Sequence, residues 1–192
     1  MKYPMTSKFF ALSVSKRLPK YLIREEVHQI LSIIKKPRDR MILDFLWNTG
    51  VRVSELISIK VSSIDFYAGV INVRTLKKRY DAERSIPVPK DFLNKVDEYI
   101  QSNKLSGDDF LFPITRQNIY YLVSRYCRIA GIDYKRRHPH TFRHSFAINC
   151  VLQGISGSVL AEWLGHEGLA HIMVYARALA RDTKHLRDGL EF

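Results

Sequence analysis

Hydrophobic residues recur at intervals of three and four along most of the chain, and this spacing predicts a mainly helical fold. A first helix is predicted over "YLIREEVHQILSIIKK", ended by Pro37, and a second over "RDRMILDFLWNTG", ended by Gly50. A short helix is expected to begin near Val53. The same spacing predicts five more helices, over "KDFLNKVDEYIQSN", "RQNIYYLVSRYCRIAG", "TFRHSFAINCVLQG", "SGSVLAEWLG" and "AHIMVYARALARDTKHLRD".

Two shorter stretches, "GVINVRT" and "RSIPVP", are rich in residues that favour strands. They flank the polar stretch "LKKRYDAE", so we expect a β-hairpin with a long tip. The stretch "DFLFP" predicts one short extended segment. The predicted fold class is therefore mainly α with a small antiparallel β-sheet, which is an α+β fold.

The ends of the chain differ in pattern from its middle. Residues 1–19 lack a clear periodicity, and we interpret them as an N-terminal arm or the remnant of a linker. One folded domain is expected over residues 20–180, and residues 181–192 form a C-terminal tail. A chain of 192 residues is long enough to bury a sizeable core without a partner.

The charge of the chain is strongly positive. It contains 31 lysines and arginines against 19 aspartates and glutamates, which gives a formal net charge of +12. This excess predicts a polyanionic partner, usually nucleic acid, although a basic surface that only keeps the protein soluble is the alternative. The basic residues cluster in several separate segments, which indicates a charged face on a folded body.

Two cysteines, Cys127 and Cys150, are too few for a zinc site of four thiolates and do not form a Cys-x-x-Cys motif. We expect both to be small hydrophobic residues on helices. No apolar run is long enough to span a membrane, and the N-terminus lacks the apolar block of a secretory signal. These features predict a reduced, cytoplasmic protein without a membrane partner.

Two basic motifs carry residues suited to phosphate chemistry. Arg52, in "NTGVRVSEL", follows a helix-ending glycine and precedes a new helix, where free backbone N–H groups lie close by. In "HPHTFRHSF", His140 and Arg143 are three residues apart and share a helix face, with His144 beside them. Cationic groups this close favour an anion such as phosphate. The alternative interpretation is structural: a surface arginine and a neutral pair.

Tyr175 lies nine residues after His166 in "LGHEGLAHIMVYARAL", within an amphipathic helical pattern. Its apolar neighbours can pack, so a core tyrosine is one interpretation. The other interpretation is chemical. A phenol with an ordinary pKa of about 10 attacks poorly at neutral pH, so it needs cationic neighbours or a base.

The order and spacing of these motifs resemble those of the tyrosine recombinase (phage integrase) family. "TGVRVSEL" is similar to the first arginine motif of the family, and "HPHTFRHSFA" is similar to its His-x-x-Arg motif. "LGHEGLAHIMVYA" is similar to its motif of a histidine and a nucleophilic tyrosine. The resemblance extends over residues 18–186 and implies the catalytic-domain fold of that family for residues 20–180.

The resemblance implies a site-specific recombinase that cleaves and rejoins duplex DNA without ATP, a metal or another cofactor. Tyr175 would attack the scissile phosphate, form a 3′-phosphotyrosyl bond and free a 5′-hydroxyl. Arg52 and Arg143 would bind the non-bridging oxygens with bidentate hydrogen bonds, and His166 would donate another. His140 would assist the phosphate or the tyrosine, as a base or hydrogen-bond acceptor.

The family also supplies a proton to the leaving oxygen from a lysine on the β-hairpin. Lys77, which follows "TL" at the end of the first strand, is the expected donor. Lys78 is the alternative, because this hairpin tip is longer than the common form of the family. Glu55, three residues after Arg52 and on the same helical face, is expected to hold that arginine in position.

Three other functions are alternatives to this one. His138 and His140 form a His-x-His pair like that of metal-dependent endonucleases, but the pair lies at a helix start and lacks a third ligand. A tyrosine nuclease or relaxing topoisomerase would use the same chemistry without exchanging partners. A DNA-binding module without catalysis is disfavoured, because every expected type of active-site residue is present.

Most members of the family carry a helical core-binding domain ahead of the catalytic domain, whereas only residues 1–19 precede it here. The chain is therefore either an isolated catalytic domain or one of the short members, such as the invertases that switch bacterial fimbriae. Met1 and the arm favour a short member. The tail after Tyr175, which docks on a neighbouring protomer in this family, implies a homo-tetramer on paired DNA sites and a monomer in solution. Packing of the tail on its own domain is the alternative.

Overall fold

Seven α-helices and one three-stranded sheet make up the computed structural model, which describes residues 20–75 and 82–165. The helices are α1 (Arg24–Ser32), α2 (Pro37–Thr49), α3 (Val53–Leu56), α4 (Lys90–Ser102), α5 (Arg116–Ile129), α6 (Pro139–Leu152) and α7 (Gly157–Leu164). The strands are β1 (Ile64–Asp65), β2 (Val70–Thr75) and β3 (Ala82–Pro87), and short 3₁₀ helices lie at Val61–Ser63 and Tyr134–Arg136. The predicted fold class, mainly α with a small antiparallel sheet, is confirmed.

Two of the helices begin at a proline, α2 at Pro37 and α6 at Pro139. Proline lacks the N–H that an interior helical position donates, but at the first position that N–H has no helical acceptor anyway. The expectation that Pro37 ends the first helix is therefore wrong. The first helix ends at Ser32, and Pro37 starts the next one.

The sheet is antiparallel in the order β1, β2, β3, and pairing of β2 with β3 confirms the predicted hairpin. The two strands are paired up to Thr75 and Ala82. The second strand begins two residues earlier than expected, because Glu83 lies opposite Arg74 and opposite charges stabilise a cross-strand pair. The segment "DFLFP" makes a single β-bridge to Lys60 instead of a strand.

The main hydrophobic core is centred on Phe45 of α2. Its ring lies 5.7 Å from that of Phe92 and 5.5 Å from that of Phe112, edge to face in both pairs, as aromatic rings prefer. Phe142 of α6 belongs to this core, whereas Phe146, one turn later, belongs to a smaller cluster between α6 and α7. The two phenylalanines are four residues apart and share one face of α6, so that face contacts both clusters.

Two buried polar contacts tie α5 and α6 to the N-terminal part of the domain. The backbone N–H of Leu22 donates to Oγ of Ser145 at 2.7 Å. The hydroxyl of Tyr126 donates to the carboxylate of Asp39 at 2.9 Å, and Asp39 is only 1% exposed. Buried polar groups need such partners, so both contacts stabilise the packing of the helices.

A third contact is a bidentate ion pair near the start of α1. Arg136 donates through Nη1 and Nη2 to the two carboxylate oxygens of Glu26, at 2.7 Å each. Nη1 also donates to the carbonyl oxygen of Tyr21 at 3.2 Å. The guanidinium therefore joins the 3₁₀ turn before α6 to the segment that leads into α1.

Both cysteines are buried on helices, Cys127 on α5 and Cys150 on α6, as the sequence predicts. Burial raises the pKa of each thiol to about 12. The thiols are therefore protonated at neutral pH and act as small apolar groups. In the described part of the chain, no helix has the length and apolar character needed to cross a bilayer.

Candidate active site

Glu55 is the buried centre of a cluster that holds two arginines. Its side chain is 2% exposed and lies in the first turn of α3. Oε1 accepts hydrogen bonds from Nη1 of Arg52 at 2.9 Å and from Nη1 of Arg84 at 3.1 Å. Oε2 accepts from the backbone N–H of Arg52 at 2.7 Å and from Nη2 of Arg84 at 2.8 Å. Each carboxylate oxygen is therefore shared between the two arginines.

The turn that presents Arg52 follows from the local sequence. Helix α2 ends at Gly50, whose φ of 61° lies in the left-handed region that glycine tolerates best. A Cβ at this position would also overlap the ring of Phe146. Arg52 then becomes the N-cap of α3, and its N–H is satisfied by Glu55 three residues later.

The charge of this cluster is set by Glu55. Burial would raise the pKa of Glu55, but the hydrogen bonds and charge of Arg84, followed by those of Arg52, hold it below its ordinary value of 4.5. One carboxylate between two guanidinium groups leaves a net positive charge. The Arg52 side chain is 25% exposed, and within residues 20–75 and 82–165 its Nε and Nη2 have no acceptor. This positive charge can therefore meet an anion from solvent.

Arg84 is a member of the cluster that the sequence motifs do not single out. The feature that could have identified Arg84 is the alternation of buried and exposed positions along β3. Arg84 and Ile86 are buried, and Ser85 between them is exposed. Arg84 thus occupies an inward position where an apolar residue is expected. A buried arginine needs hydrogen-bond acceptors, and Glu55 provides a carboxylate from 29 residues away in the chain.

Arg143 of α6 is 6% exposed, and its guanidinium is held by two backbone carbonyls. Nη1 donates to the oxygen of Gly50 at 2.7 Å, and Nη2 donates to the oxygen of Leu164 at 2.6 Å. These residues stand at the C-terminal ends of α2 and α7, where carbonyls lack helical donors and the helix dipole is negative. Arg143 therefore fixes two helix ends, each two residues before a predicted site residue, Arg52 and His166.

His140 lies in the first turn of α6 and stacks on His138, with ring centroids 5.2 Å apart and 13° between the ring planes. His138 in turn contacts Tyr120 edge to face at 4.8 Å. Desolvation lowers the pKa of His140, and so do four neighbouring basic groups, His138, Arg143, Arg52 and Arg116. The imidazole is therefore neutral at pH 7 and can accept a proton or a hydrogen bond.

His144 is a second imidazole with a low pKa. Desolvation, followed by the charges of His140, Arg143 and His138, lowers the pKa of His144 to about 4. The expectation that His140 and His144 add positive charge to Arg143 is therefore wrong at neutral pH. Among the described residues of the site, the positive charge comes from the arginines.

The structure brings Arg52, Glu55, His140 and Arg143 together where α2, α3, α6 and α7 meet. The remaining predicted site residues lie outside the described residues. Lys77 and Lys78 belong to residues 76–81, between the paired ends of β2 and β3. His166 and Tyr175 lie beyond residue 165, as does the tail of residues 181–192.

The His-x-His pair has a structural use at the start of α6. Nδ1 of His138, the N-cap, accepts a hydrogen bond from the backbone N–H of His140 at 3.3 Å. Among the residues that the structure describes, no three His, Cys, Asp or Glu side chains come together in a group that could hold a metal ion.

Comparison with known proteins identifies the family of this chain. A profile of the phage integrase family matches residues 20–181 of this chain. The tyrosine recombinase XerA of Pyrococcus furiosus is 34% identical over 189 residues, which cover 93% of this chain and 63% of the relative. The chain therefore spans slightly less than two thirds of that relative's length.

Solved structures show the same fold. The crystal structure of XerA recombinase matches with a TM-score of 0.76 at 25% identity, over 91% of this chain and 67% of that one. XerH site-specific recombinase, bound to its difH substrate in a pre-cleavage complex, matches with a TM-score of 0.72 at 23% identity, over 90% of this chain and 54% of that one. The second likeness is evidence of the fold alone.

Proposed function

Because this chain belongs to the phage integrase family of tyrosine recombinases, we propose that it is a site-specific recombinase that cuts and rejoins duplex DNA through a 3′-phosphotyrosyl intermediate. The observation that carries the proposal is the arginine cluster: Arg52 is partly exposed, is held by Glu55, and lies beside His140 and Arg143. Such a group of fixed positive charges suits a phosphodiester.

In the proposed reaction, Oη of Tyr175 attacks the scissile phosphorus. A bond forms between the tyrosine oxygen and phosphorus as the bond from phosphorus to the 5′-oxygen breaks. The phenolic proton goes to a base, and the leaving 5′-oxygen receives a proton from Lys77, or from Lys78 as the alternative. The 5′-hydroxyl of another strand reverses the step, so the number of phosphodiester bonds is conserved without ATP or a metal.

Arg52 is proposed to bind a non-bridging oxygen of the phosphate directly. Its Nε and Nη2 are donors without an acceptor among residues 20–75 and 82–165, while Nη1 is held by Glu55. A donor fixed in advance stabilises the charge that develops in the transition state without having to reorganise. His166 is proposed to add a further donor to the same oxygens.

Arg143 is proposed to bind the second oxygen and to supply charge from the interior. Its low exposure and its two bonds to helix ends hold the guanidinium plane fixed. In a medium that excludes water, such a fixed charge acts more strongly on the phosphate than a mobile surface charge does.

His140 is proposed to accept the tyrosine proton or a hydrogen bond from the phosphate environment. The lowered pKa of its imidazole supports an acceptor role, because a protonated ring could not accept.

The proposed partner is double-stranded DNA, bound by homo-tetramers on paired sites, with a monomer in solution. The net charge of +12 supports a polyanionic partner. The tail of residues 181–192 is proposed to exchange between protomers. The protein would then act where the DNA is, in the cytoplasm at the nucleoid.

The test is a capture experiment on a pool of nicked duplexes with a randomised central segment. The nick lets the cleaved fragment diffuse away, so a covalent intermediate is trapped. We would compare wild type, Tyr175→Phe and Tyr121→Phe in a chelator without nucleotide, and recover adducts under denaturing conditions. Tyr121 is a matched control because it is 63% exposed on the surface of α5.

Wild type and the Tyr121 variant are expected to trap DNA, and the Tyr175 variant is expected to trap none. Adding a strand with a free 5′-hydroxyl should then release joined DNA from the adduct. Trapping without joining would indicate a nuclease rather than a recombinase. Failure of wild type to trap DNA, or equal trapping by Tyr175→Phe, would overturn the proposal.

A further inference from the structure

Arg84 uses all three nitrogens of its guanidinium group in the protein interior. Nη1 and Nη2 donate to the two carboxylate oxygens of Glu55, at 3.1 Å and 2.8 Å. Nε donates to the carbonyl oxygen of Trp163 at 2.7 Å. The side chain is 5% exposed, so solvent hardly competes for these bonds.

These bonds join three segments that are far apart in the sequence. Arg84 is the third residue of β3, and the candidate lysines Lys77 and Lys78 precede it by seven and six residues in the sequence. Glu55 holds Arg52 at the N-terminus of α3. Trp163 lies in the last turn of α7, three residues before His166 in the sequence. Each of the three segments is close in the sequence to a residue that the proposed reaction uses.

Two arginines meet the end of α7 from different elements. Arg84 of β3 binds the carbonyl of Trp163, and Arg143 of α6 binds the carbonyl of Leu164 at 2.6 Å. A Cβ on Gly165 would lie 3.0 Å from Nη1 of Arg84, so the guanidinium packs closely on this backbone. Carbonyls at a helix C-terminus lack helical donors and carry partial negative charge, so both arginines stabilise this end.

Only arginine can make this arrangement. The planar guanidinium presents two Nη donors to a carboxylate and a separate Nε donor to another acceptor. A lysine at the same position keeps the charge but has one nitrogen, which cannot reach the two oxygens of Glu55 and the carbonyl of Trp163 with the same geometry. Arg84→Lys therefore keeps the positive charge but removes the geometry of the hydrogen bonds.

We propose that Arg84 is a positioning residue that fixes Arg52, through Glu55, relative to the end of α7. This inference rests on the proposed function, because the effect of the positioning is measured as a change in the rate of DNA cleavage. In this proposal Arg84 acts through Glu55 and the end of α7, and it does not itself bind the DNA. The low pKa of Glu55, for which Arg84 is the main lowering influence, agrees with this geometry.

The experiment compares Arg84→Lys with Arg136→Lys and wild type. Arg136 is a matched control, since it also donates to both oxygens of a glutamate and to a backbone carbonyl, but near α1. The rate of adduct formation at saturating protein, the affinity for the nicked duplex pool and the melting temperature would be measured. The carboxyl resonance of Glu55 would be titrated in the protein without DNA.

Arg84→Lys is expected to slow adduct formation by about tenfold or more, as loss of a supporting partner of a site residue typically does. Its affinity for DNA should stay within about twofold of wild type, because phosphate contacts dominate binding. The pKa of Glu55 should rise in this variant. Arg136→Lys should form the adduct at the wild-type rate, even if its melting temperature falls as far as that of Arg84→Lys.

The outcomes separate the two proposals. A wild-type chain that forms no adduct overturns the proposed function, and the Glu55 titration then decides whether Arg84 controls that carboxylate. An Arg84→Lys variant that cleaves at the wild-type rate overturns the inference. So does an equal loss of rate in Arg136→Lys, which would mean that stability alone is responsible. An unchanged Glu55 pKa in Arg84→Lys also contradicts it.

Discussion

Nη1 of Arg143 donates a 2.7 Å hydrogen bond to the carbonyl oxygen of Gly50, the residue that ends α2 two positions before Arg52. The left-handed backbone of Gly50 turns the chain so that the carbonyl faces Arg143 while the next residues enter α3. The positions of the two arginines are therefore coupled through one glycine.

Gly50→Ala is expected to lower the free energy of unfolding by at least about 2 kcal/mol. The alanine would adopt an unfavourable positive φ, and its Cβ would overlap Phe146. Chemical denaturation measures the loss. Gly131→Ala is the control, because Gly131 also has a positive φ, of 75°, but has nothing within 4 Å of an added Cβ. Equal losses in the two variants would mean that the contact with Phe146 contributes nothing.

Tyr126→Phe is expected to destabilise the fold by about 1–3 kcal/mol, because it removes a hydrogen bond from buried Asp39 and leaves the carboxylate less well satisfied. Urea denaturation of the variant and of wild type measures the difference. Tyr121→Phe, on the exposed side of the same helix, should change stability by less than about 0.5 kcal/mol. Similar values for the two variants would contradict the role of the Asp39 contact.

Acid is expected to destabilise the protein through His144. The pKa of His144 is about 4 in the fold against 6.5 ordinarily, so the unfolded chain binds a proton that the folded one does not. Stability is therefore full above pH 6.5 and falls towards pH 4, by at most about 1.4 kcal/mol per pH unit from this group. Unfolding free energies of wild type and His144→Gln between pH 7 and pH 5 measure it. The same slope in both proteins would contradict a low pKa for His144.

Binding of this chain to duplex DNA is expected to be weak and to depend steeply on salt. If arginines and lysines neutralise three or more phosphates, the logarithm of the binding constant should fall with the logarithm of salt concentration with a slope of about −3 or steeper. Fluorescence anisotropy with a labelled duplex at several salt concentrations measures the slope. A slope near zero would show that binding does not use the net charge of +12.

One part of the site, the pairing of Arg52 with Glu55, can be predicted from local sequence. A glycine that ends a helix, an N-cap and a residue three positions later define the pairing of Arg52 with Glu55, because helix geometry brings such positions together. Helix α6 is also predicted from local sequence, although it begins at Pro139, two residues before the predicted start at Thr141. The hairpin also follows, since two β-rich stretches lie on either side of a polar one.

The parts of the site that depend on contacts between residues far apart in the chain could not be predicted from local sequence. Arg84 meets Glu55 across 29 residues and Trp163 across 79 residues, and neither separation leaves a periodic signal. The burial of Arg143, and the bonds that hold it, require the ends of α2 and α7 to be already packed against α6. Burial is the largest cause of the low pKa of His144, and the sequence does not show how deeply that side chain is buried.

The most direct test of the central claim is to identify the residue that becomes linked to DNA. The trapped adduct would be digested with trypsin and the DNA-linked peptide identified by mass spectrometry. Residues 144–177 form one tryptic peptide, and Tyr175 is its only tyrosine. The account predicts a nucleotide-phosphate mass on this peptide. The same mass on the peptide that contains Tyr120 and Tyr121, or on the peptide that contains Tyr126, would contradict it.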